Sequence, residues 1–105
     1  EAMRMRRETY SGTLKLYGEE HRETMIETNN YANSLLSLGR WEEARALLGK
    51  WPVAQRVLGK SNQLTLTIGA GYAVALYQDP GATLADLREA VNTLEETNRI
   101  ARRVL

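Results

Sequence analysis

The chain has 105 residues, of which 43% are hydrophobic and 26% charged, with a formal net charge of +1 and no cysteine. This length suits a single domain, and the small net charge gives no global attraction to nucleic acid or to an acidic membrane surface. The lack of cysteine excludes disulfides and thiolate metal sites. The sequence contains no run of about 18 apolar residues, which is the pattern that would predict a membrane-spanning helix.

The first two predicted helices cover about residues 2–16 and 23–38. We expect the first to be interrupted at Ser11-Gly12, because a glycine inside a helix costs about 1 kcal/mol relative to alanine. The second is predicted to end at Gly39, since glycine readily takes the left-handed conformation that follows a last helical turn.

The third predicted helix begins near Trp41 and loses its regular course at residues 49–52, because proline cannot donate a helical hydrogen bond. Residues 53–58 are expected to resume this helix after a kink. The fourth helix is predicted over residues 63–78, with Asn62 as its N-cap residue.

The sequence Asp79-Pro80-Gly81-Ala82 predicts a turn before the fifth helix. Thr83 and Asp86 then resemble a capping box with the shorter acid at the third helical position. The apolar residues of the fifth helix have the spacing of one helical face: Leu84, Leu87, Val91, Leu94, Ala101 and Leu105.

Parts of the sequence recur at a nearly constant spacing. Gly18 and Gly59 are 41 residues apart, and each is followed six residues later by a threonine and then by a Tyr-Ala pair. Three Glu-Ala pairs lie at residues 1–2, 43–44 and 89–90. A helical hairpin buries its apolar face only against neighbouring hairpins, so a recurring hairpin predicts a stack of hairpins.

The segment from Gly18 to Ala44 resembles one tetratricopeptide (TPR) hairpin. The pattern Gly-x-x-His/Asn-x-x-Thr, at a spacing of 41 to 42 residues, resembles the longer repeat of kinesin light chains. The resemblance implies an all-α fold, a right-handed superhelix of antiparallel hairpins with about five helices. Residues 1–17 would be the second helix of a partial repeat, and residues 18–58 and 59–105 would be two repeats of the same domain. Because both edges fall within a repeat, we expect a fragment of a longer array or ends that a partner covers.

Small residues are predicted where the helices of a hairpin approach closely, and leucines three or four positions further along are predicted to fill the gaps between hairpins. The small residues are Ala32, Ala44, Ala73 and Ala90, and the leucines are Leu35, Leu48, Leu76 and Leu94. Where the family has a further small residue, this chain has Trp51 followed by Pro52. This pair either distorts the middle repeat with local repacking or exposes an aromatic side chain for binding.

Helical spacing from Ala32 and Ala73 predicts a partner-binding face opposite the hairpin partner. The predicted partner-binding residues are Ile26, Asn29, Asn30, Asn33, Ser37, Thr67, Ala70, Val74 and Tyr77. Asn29 and Asn30 match an Asn-Asn pair of the family, and the resemblance implies that such asparagines hydrogen-bond the backbone of an extended peptide. The alternative is that they bridge neighbouring helices.

No catalytic, cofactor-binding or metal-binding pattern is present, and His21, the single histidine, fits a capping role. We therefore expect an intracellular, cytoplasmic interaction scaffold that binds a protein or peptide, and not an enzyme. One alternative is a helical-repeat protein that binds nucleic acid through arginine-rich terminal helices. The arginines of this nucleic-acid hypothesis are Arg4, Arg6, Arg7, Arg99, Arg102 and Arg103. The other alternative is a structural solenoid that self-associates through its ends.

Overall fold

The computed structural model describes the backbone of residues 2–104 and the side chains of residues 3–103. Within this part of the chain every regular element is an α-helix, which confirms the all-α prediction. Glu1 of the first Glu-Ala pair and Leu105 of the last apolar pattern lie outside the described residues. The helices are α1 (Ala2–Tyr17), α2 (Arg22–Ser37), α3 (Trp41–Leu48), α4 (Trp51–Leu58), α5 (Gln63–Gln78) and α6 (Leu84–Val104).

The helices pack largely in the order in which they occur along the chain. Helix α1 packs on α2, α2 packs on α3, α3 and α4 both pack on α5, and α5 packs on α6. Helix α5 also lies beside α2. The result is a flattened body with extents of 33 × 32 × 19 Å, in which α5 is the central element.

Helix α1 is continuous, so the predicted interruption at Ser11-Gly12 is wrong. A Cβ at Gly12 would have no atom within 4 Å, because this side of the helix faces solvent. On the buried side, the ring of Tyr10 lies against that of Tyr31 of α2, with the centroids 5.7 Å apart. The propensity cost of about 1 kcal/mol for an exposed glycine is small beside this packing.

The end of α2 confirms the role predicted for Gly39. This glycine has φ of 73°, and its N–H donates to the carbonyl of Leu36 at 3.1 Å. The N–H of Arg40 donates to the carbonyl of Leu35 at 2.9 Å, which completes a Schellman motif. Since positive φ strains any residue that has a Cβ, glycine is the residue that allows this sharp end.

The predicted third helix is divided at Gly49-Lys50 into α3 and α4. Pro52 lies in the first turn of α4, where its missing N–H removes no helical hydrogen bond. The predicted break is confirmed, although α4 begins at Trp51 and so includes two of the four residues that were expected to lie in the kink.

Trp51 is half-buried and packs against a glycine of α5. A Cβ at Gly69 would lie 3.1 Å from Cε3 of Trp51 and 3.0 Å from Cγ2 of Thr97. The large side chain of Trp51 on α4 therefore occupies the space left by the missing side chain on α5. This geometry is that of local repacking, the first of the two alternatives for Trp51-Pro52.

The glycines that precede α2 and α5 end the helices before them in the same way. Gly18 has φ of 85° and donates its N–H to the carbonyl of Leu14 at 2.9 Å. Gly59 has φ of 99° and donates to the carbonyl of Gln55 at 3.0 Å. Both the glycines and their acceptors are 41 residues apart.

The N-cap residues of α2 and α5 are also equivalent, although one is a histidine and the other an asparagine. Nδ1 of His21 accepts from the N–H of Glu23 at 3.0 Å, and Oδ1 of Asn62 accepts from the N–H of Leu64 at 2.8 Å. Each bond satisfies one of the free N–H groups at a helix start. The capping predictions for His21 and Asn62 are confirmed.

One turn after the N-cap, α2 and α5 each have a buried threonine that forms the same hydrogen bond to the preceding helix. Oγ1 of Thr24 donates to the carbonyl of Thr13 at 3.4 Å, and Oγ1 of Thr65 donates to that of Ala54 at 3.2 Å. In each case the acceptor lies eleven residues before the donor, on the preceding helix. The recurrence in the sequence is therefore a recurrence of hydrogen bonds in the structure.

The turn before α6 also has the predicted form. The N–H of Gly81 donates to Oδ1 of Asp79 at 2.8 Å, and the N–H of Ala82 donates to the Asp79 carbonyl at 3.0 Å. Thr83 and Asp86 then exchange two bonds, from the Asp86 N–H to Oγ1 at 3.1 Å and from the Thr83 N–H to Oδ2 at 3.0 Å. This is the reciprocal capping box.

The four alanines predicted for the helix seams are all buried, and so are Leu35, Leu48 and Leu76. The prediction for Leu94 is wrong, because this side chain is exposed. Helix α6 instead turns Ala90, Thr93 and Thr97 into the protein. The two threonine hydroxyls donate to carbonyls of their own helix, so both side chains can be buried at little polar cost.

Candidate interaction surfaces

The nine predicted partner-binding residues lie on α2 and α5, two helices that contact each other. None of the nine is fully buried, so a partner could reach this surface. Positions on the two helices correspond at the 41-residue spacing, as Ile26 does to Thr67. The half-buried residues are Ile26, Asn29, Asn30, Ala70 and Val74, and the exposed ones are Asn33, Ser37, Thr67 and Tyr77.

The asparagine side chains of α2 are not engaged by neighbouring helices. Asn29, Asn30 and Asn33 form no side-chain hydrogen bond with any other described residue, and Oδ1 of Asn29 is buried without a donor. Most buried polar atoms in folded proteins have a partner. The alternative in which these asparagines bridge helices therefore has no hydrogen bond to support it in the described part of the chain.

A second surface lies between the first half of α5 and the second half of α6. It is an open groove of about 630 Å³, and none of the described residues that line it is charged. Thr67 and Ala70 are the predicted binding residues that take part, and sequence reasoning missed the contribution of α6. The lining residues are Ser61, Gln63, Leu66, Thr67, Ala70, Leu94, Thr97, Asn98 and Ala101.

The groove continues into an exposed apolar row on α6, which we call the α6 stripe: Leu84, Leu87, Val91 and Leu94. Their exposed fractions are 64%, 40%, 54% and 38%, in that order. Exposed apolar side chains that form a contiguous row mark interaction sites more often than isolated ones do. The stripe was visible in the sequence as helical spacing, but nothing in the sequence indicated that it faces outward.

A polar cluster joins α3, α5 and α6 on another side. The hydroxyl of Tyr72 donates to Oε2 of Glu89 at 2.6 Å, and burial, followed by this bond, raises the pKa of Tyr72 to about 12. The Thr83 N–H holds the pKa of Asp86 below its usual value, and Arg45 lies 3.6 Å away. Since neither shift moves a group toward neutral pH, the cluster fits a structural role better than proton transfer.

The two arginine clusters lie on α1 and α6, the first and last helices in the packing order. Arg99 lies 3.9 Å from Glu96 of its own helix, and with Arg102 and Arg103 it lines a shallow depression that also contains Glu95. Carboxylates at this place weaken the attraction for phosphate. The nucleic-acid hypothesis stays a prediction.

Within residues 2–104, no helix is long and apolar enough to cross a membrane. The described residues also contain no group of three histidine, cysteine or acidic side chains placed to hold a metal ion. Comparison with protein-family models, with curated proteins and with solved structures gives no match for this chain. The surfaces described above therefore carry the functional inference.

Proposed function

We propose that this chain is a protein-interaction scaffold of the TPR type, with antiparallel hairpins stacked in a right-handed superhelix. Its partner would be an extended protein segment bound across α2 and α5. The observation that carries the proposal is the pair of unengaged amide side chains on α2 at Asn30 and Asn33, next to Asn29, whose Oδ1 is buried without a donor among the described residues. The equivalent hydrogen bonds at the starts of α2 and α5, and between each of these helices and the helix before it, support a repeated hairpin.

The chemistry of the two helices differs in a way that suits such a segment. A peptide backbone offers an N–H and a C=O at each residue, and an asparagine amide offers both an acceptor and donors in one side chain. Helix α2 would therefore hold the backbone of the segment. Helix α5 has Ala70 and Val74 at the places that correspond to Asn29 and Asn33, and Tyr77 lies three residues beyond Val74. This helix would therefore contact apolar side chains of the same segment.

A displayed library of random linear peptides, selected on the wild-type chain, tests the proposal. The selected peptides are then measured against Asn30→Ala and Asn33→Ala, with Asn92→Ala on α6 as the matched control. We expect a loss of about tenfold in affinity for each α2 variant, the equivalent of one hydrogen bond, and no loss for the control. A library that yields no binder, or binders that tolerate both α2 changes, would refute the proposal.

A further inference from the structure

We propose that the α6 stripe is a homodimer interface, on which α6 of a second copy of this chain packs in the antiparallel direction. This inference is argued from α6 and not from the asparagines that carry the peptide-binding proposal, although Thr67 and Ala70 of α5 line the groove beside the stripe. The exposed stripe itself is the first observation. The other observations are the spacing of its residues and the charges beside it.

The stripe has the spacing of a coiled-coil seam. Its four apolar residues are followed by Asn98 and Ala101, so that the intervals alternate between three and four residues along the whole helix. This alternation is the heptad pattern that lets one helix lie along another. The seam is separate from the side that packs on α5, where Ala90, Thr93 and Thr97 are buried.

The space beside the seam can take a helix. The first part of the stripe is open, because Leu84, Leu87 and Val91 line a shallow depression on the surface. Leu94 and Ala101 line the uncharged groove between α5 and α6. A helix laid along the seam would therefore cover apolar surface over most of the length of α6.

The charges beside the seam indicate that the second helix is another α6. Arg88 and Glu95 lie seven residues apart on one flank of the seam, and neither forms an ion pair with a described residue. With a two-fold axis between Asn92 and Thr93, Val91 packs against Leu94 of the second copy and Arg88 lies beside Glu95 of the second copy. The two-fold axis forms each of these contacts twice.

Comparison with an alternative register of the two α6 helices supports the same pairing. If the axis passed through Glu89, Leu84 would meet Leu94 of the second copy, and Leu87 would meet Val91. That register pairs apolar residues well, but it places Arg88 beside Arg88 of the second copy. Like charges at a contact are unfavourable, so the charges favour the register with the axis between Asn92 and Thr93. In that register Leu84 lies opposite Ala101 of the second copy, and Leu87 lies opposite Asn98 of the second copy.

The first test measures mass by sedimentation equilibrium from about 1 μM to 1 mM, the range of a weak to moderate dimer. We expect the wild-type chain to form dimers as concentration rises and Val91→Glu to stay monomeric. Val91 is 54% exposed, so the variant should keep its helical circular dichroism. Leu16→Glu on α1, where the side chain is 73% exposed, is the matched control and should dimerise like the wild type.

The second test exchanges the flanking charges. Arg88→Glu and Glu95→Arg should each weaken dimerisation about tenfold at low salt, because each turns two attractive contacts into two repulsive ones. The double variant should recover the wild-type constant, since it only reverses the direction of each pair. An intramolecular ion pair would not produce this recovery, because neither residue forms one with a described residue.

Three results would overturn the proposal. A wild-type chain that is monomeric at every concentration would exclude a second copy of this chain as the occupant of the stripe. A dimer that Val91→Glu does not affect would place the contact elsewhere. A double variant as weak as the single variants would rule out the antiparallel pairing of Arg88 with Glu95.

Discussion

Leu48 of α3 and Leu94 of α6 are corresponding residues of two hairpins, 46 positions apart, yet Leu48 is fully buried and Leu94 is 38% exposed. Both belong to helices whose alanines, Ala44 and Ala90, are buried against the preceding helix. The local pattern of the two helices is thus alike. What differs is the neighbour on the far side.

Helix α5 covers the first of these faces because it is built from small residues at the contact. A Cβ on Gly71 would lie 3.2 Å from Cδ1 of Leu48, and one on Gly69 would lie 3.1 Å from Cε3 of Trp51. The backbone of α5 can therefore approach α3 and α4 closely. The corresponding face of α6 has no such neighbour among the described helices, so its apolar residues are exposed to solvent.

The largest expected effect comes from truncating the two corresponding leucines. Leu48→Ala should lower the free energy of unfolding by about 2–5 kcal/mol, because it leaves a cavity between α3 and α5. Leu94→Ala should cost less than about 1 kcal/mol, since its side chain is already partly in water. Urea unfolding of dilute protein measures both values. Equal losses in the free energy of unfolding would show that Leu48 and Leu94 are equally buried.

A pair of glycines tests the same contrast at the backbone. Gly69→Ala should destabilise by about 1–3 kcal/mol, because its Cβ enters the contact between Trp51 and Thr97. Gly12→Ala should stabilise by about 1 kcal/mol, since that position is helical and open. Thermal unfolding of the two variants measures the signs. A stabilising Gly69→Ala would contradict the close approach of α5.

The two buried threonines test whether the hairpins are equivalent where both are covered. Thr65→Val and Thr24→Val keep the shape of the side chain and remove one hydrogen bond, so each should cost about 1 kcal/mol. The loss should be smaller for Thr24, whose bond to Thr13 is the longer one at 3.4 Å. Equilibrium unfolding gives both values, and a neutral Thr65→Val would argue against the shared loop geometry.

The smallest expected effect is a pH-dependent change in the free energy of unfolding, and it arises at the start of α6. The Thr83 N–H lowers the pKa of Asp86 in the folded protein, so the contribution of this carboxylate is present above its unfolded pKa of about 4. It is lost as pH falls through the folded value. Asp86→Asn should therefore be less stable than wild type at pH 7, with a difference that vanishes on acidification. A difference that is constant from pH 7 to 2 would contradict the role of the charge.

The elements that local chemistry controls were predictable from the sequence. Gly39, Asn62 and the Thr83–Asp86 pair act through bonds to residues within a few positions, so their geometry follows from their identity and spacing. Gly12 misled the prediction for α1, because its cost depends on what the other side of the helix contacts. The outcome for Trp51 could not be predicted locally, because its side chain packs into the space beside Gly69, eighteen residues away in the sequence.

The candidate surfaces were predictable only in part. Sequence spacing placed the asparagines of α2 on one accessible face, but only the tertiary structure shows that no described residue donates to the buried Asn29 amide oxygen. The α5–α6 groove and the outward direction of the α6 stripe were missed. Helical spacing states which residues share a face, and it does not state whether another helix covers that face.

The sequence by itself determined the course of α2, α5 and α6, their N-caps at His21, Asn62 and Thr83, and the 41-residue recurrence. Each of these features arises from interactions between residues close in the chain. Only the tertiary structure decided which of two similar apolar faces is buried. Burial depends on the neighbour that can approach, and α5 approaches α3 and α4 through glycines that lie far from Leu48 in the sequence.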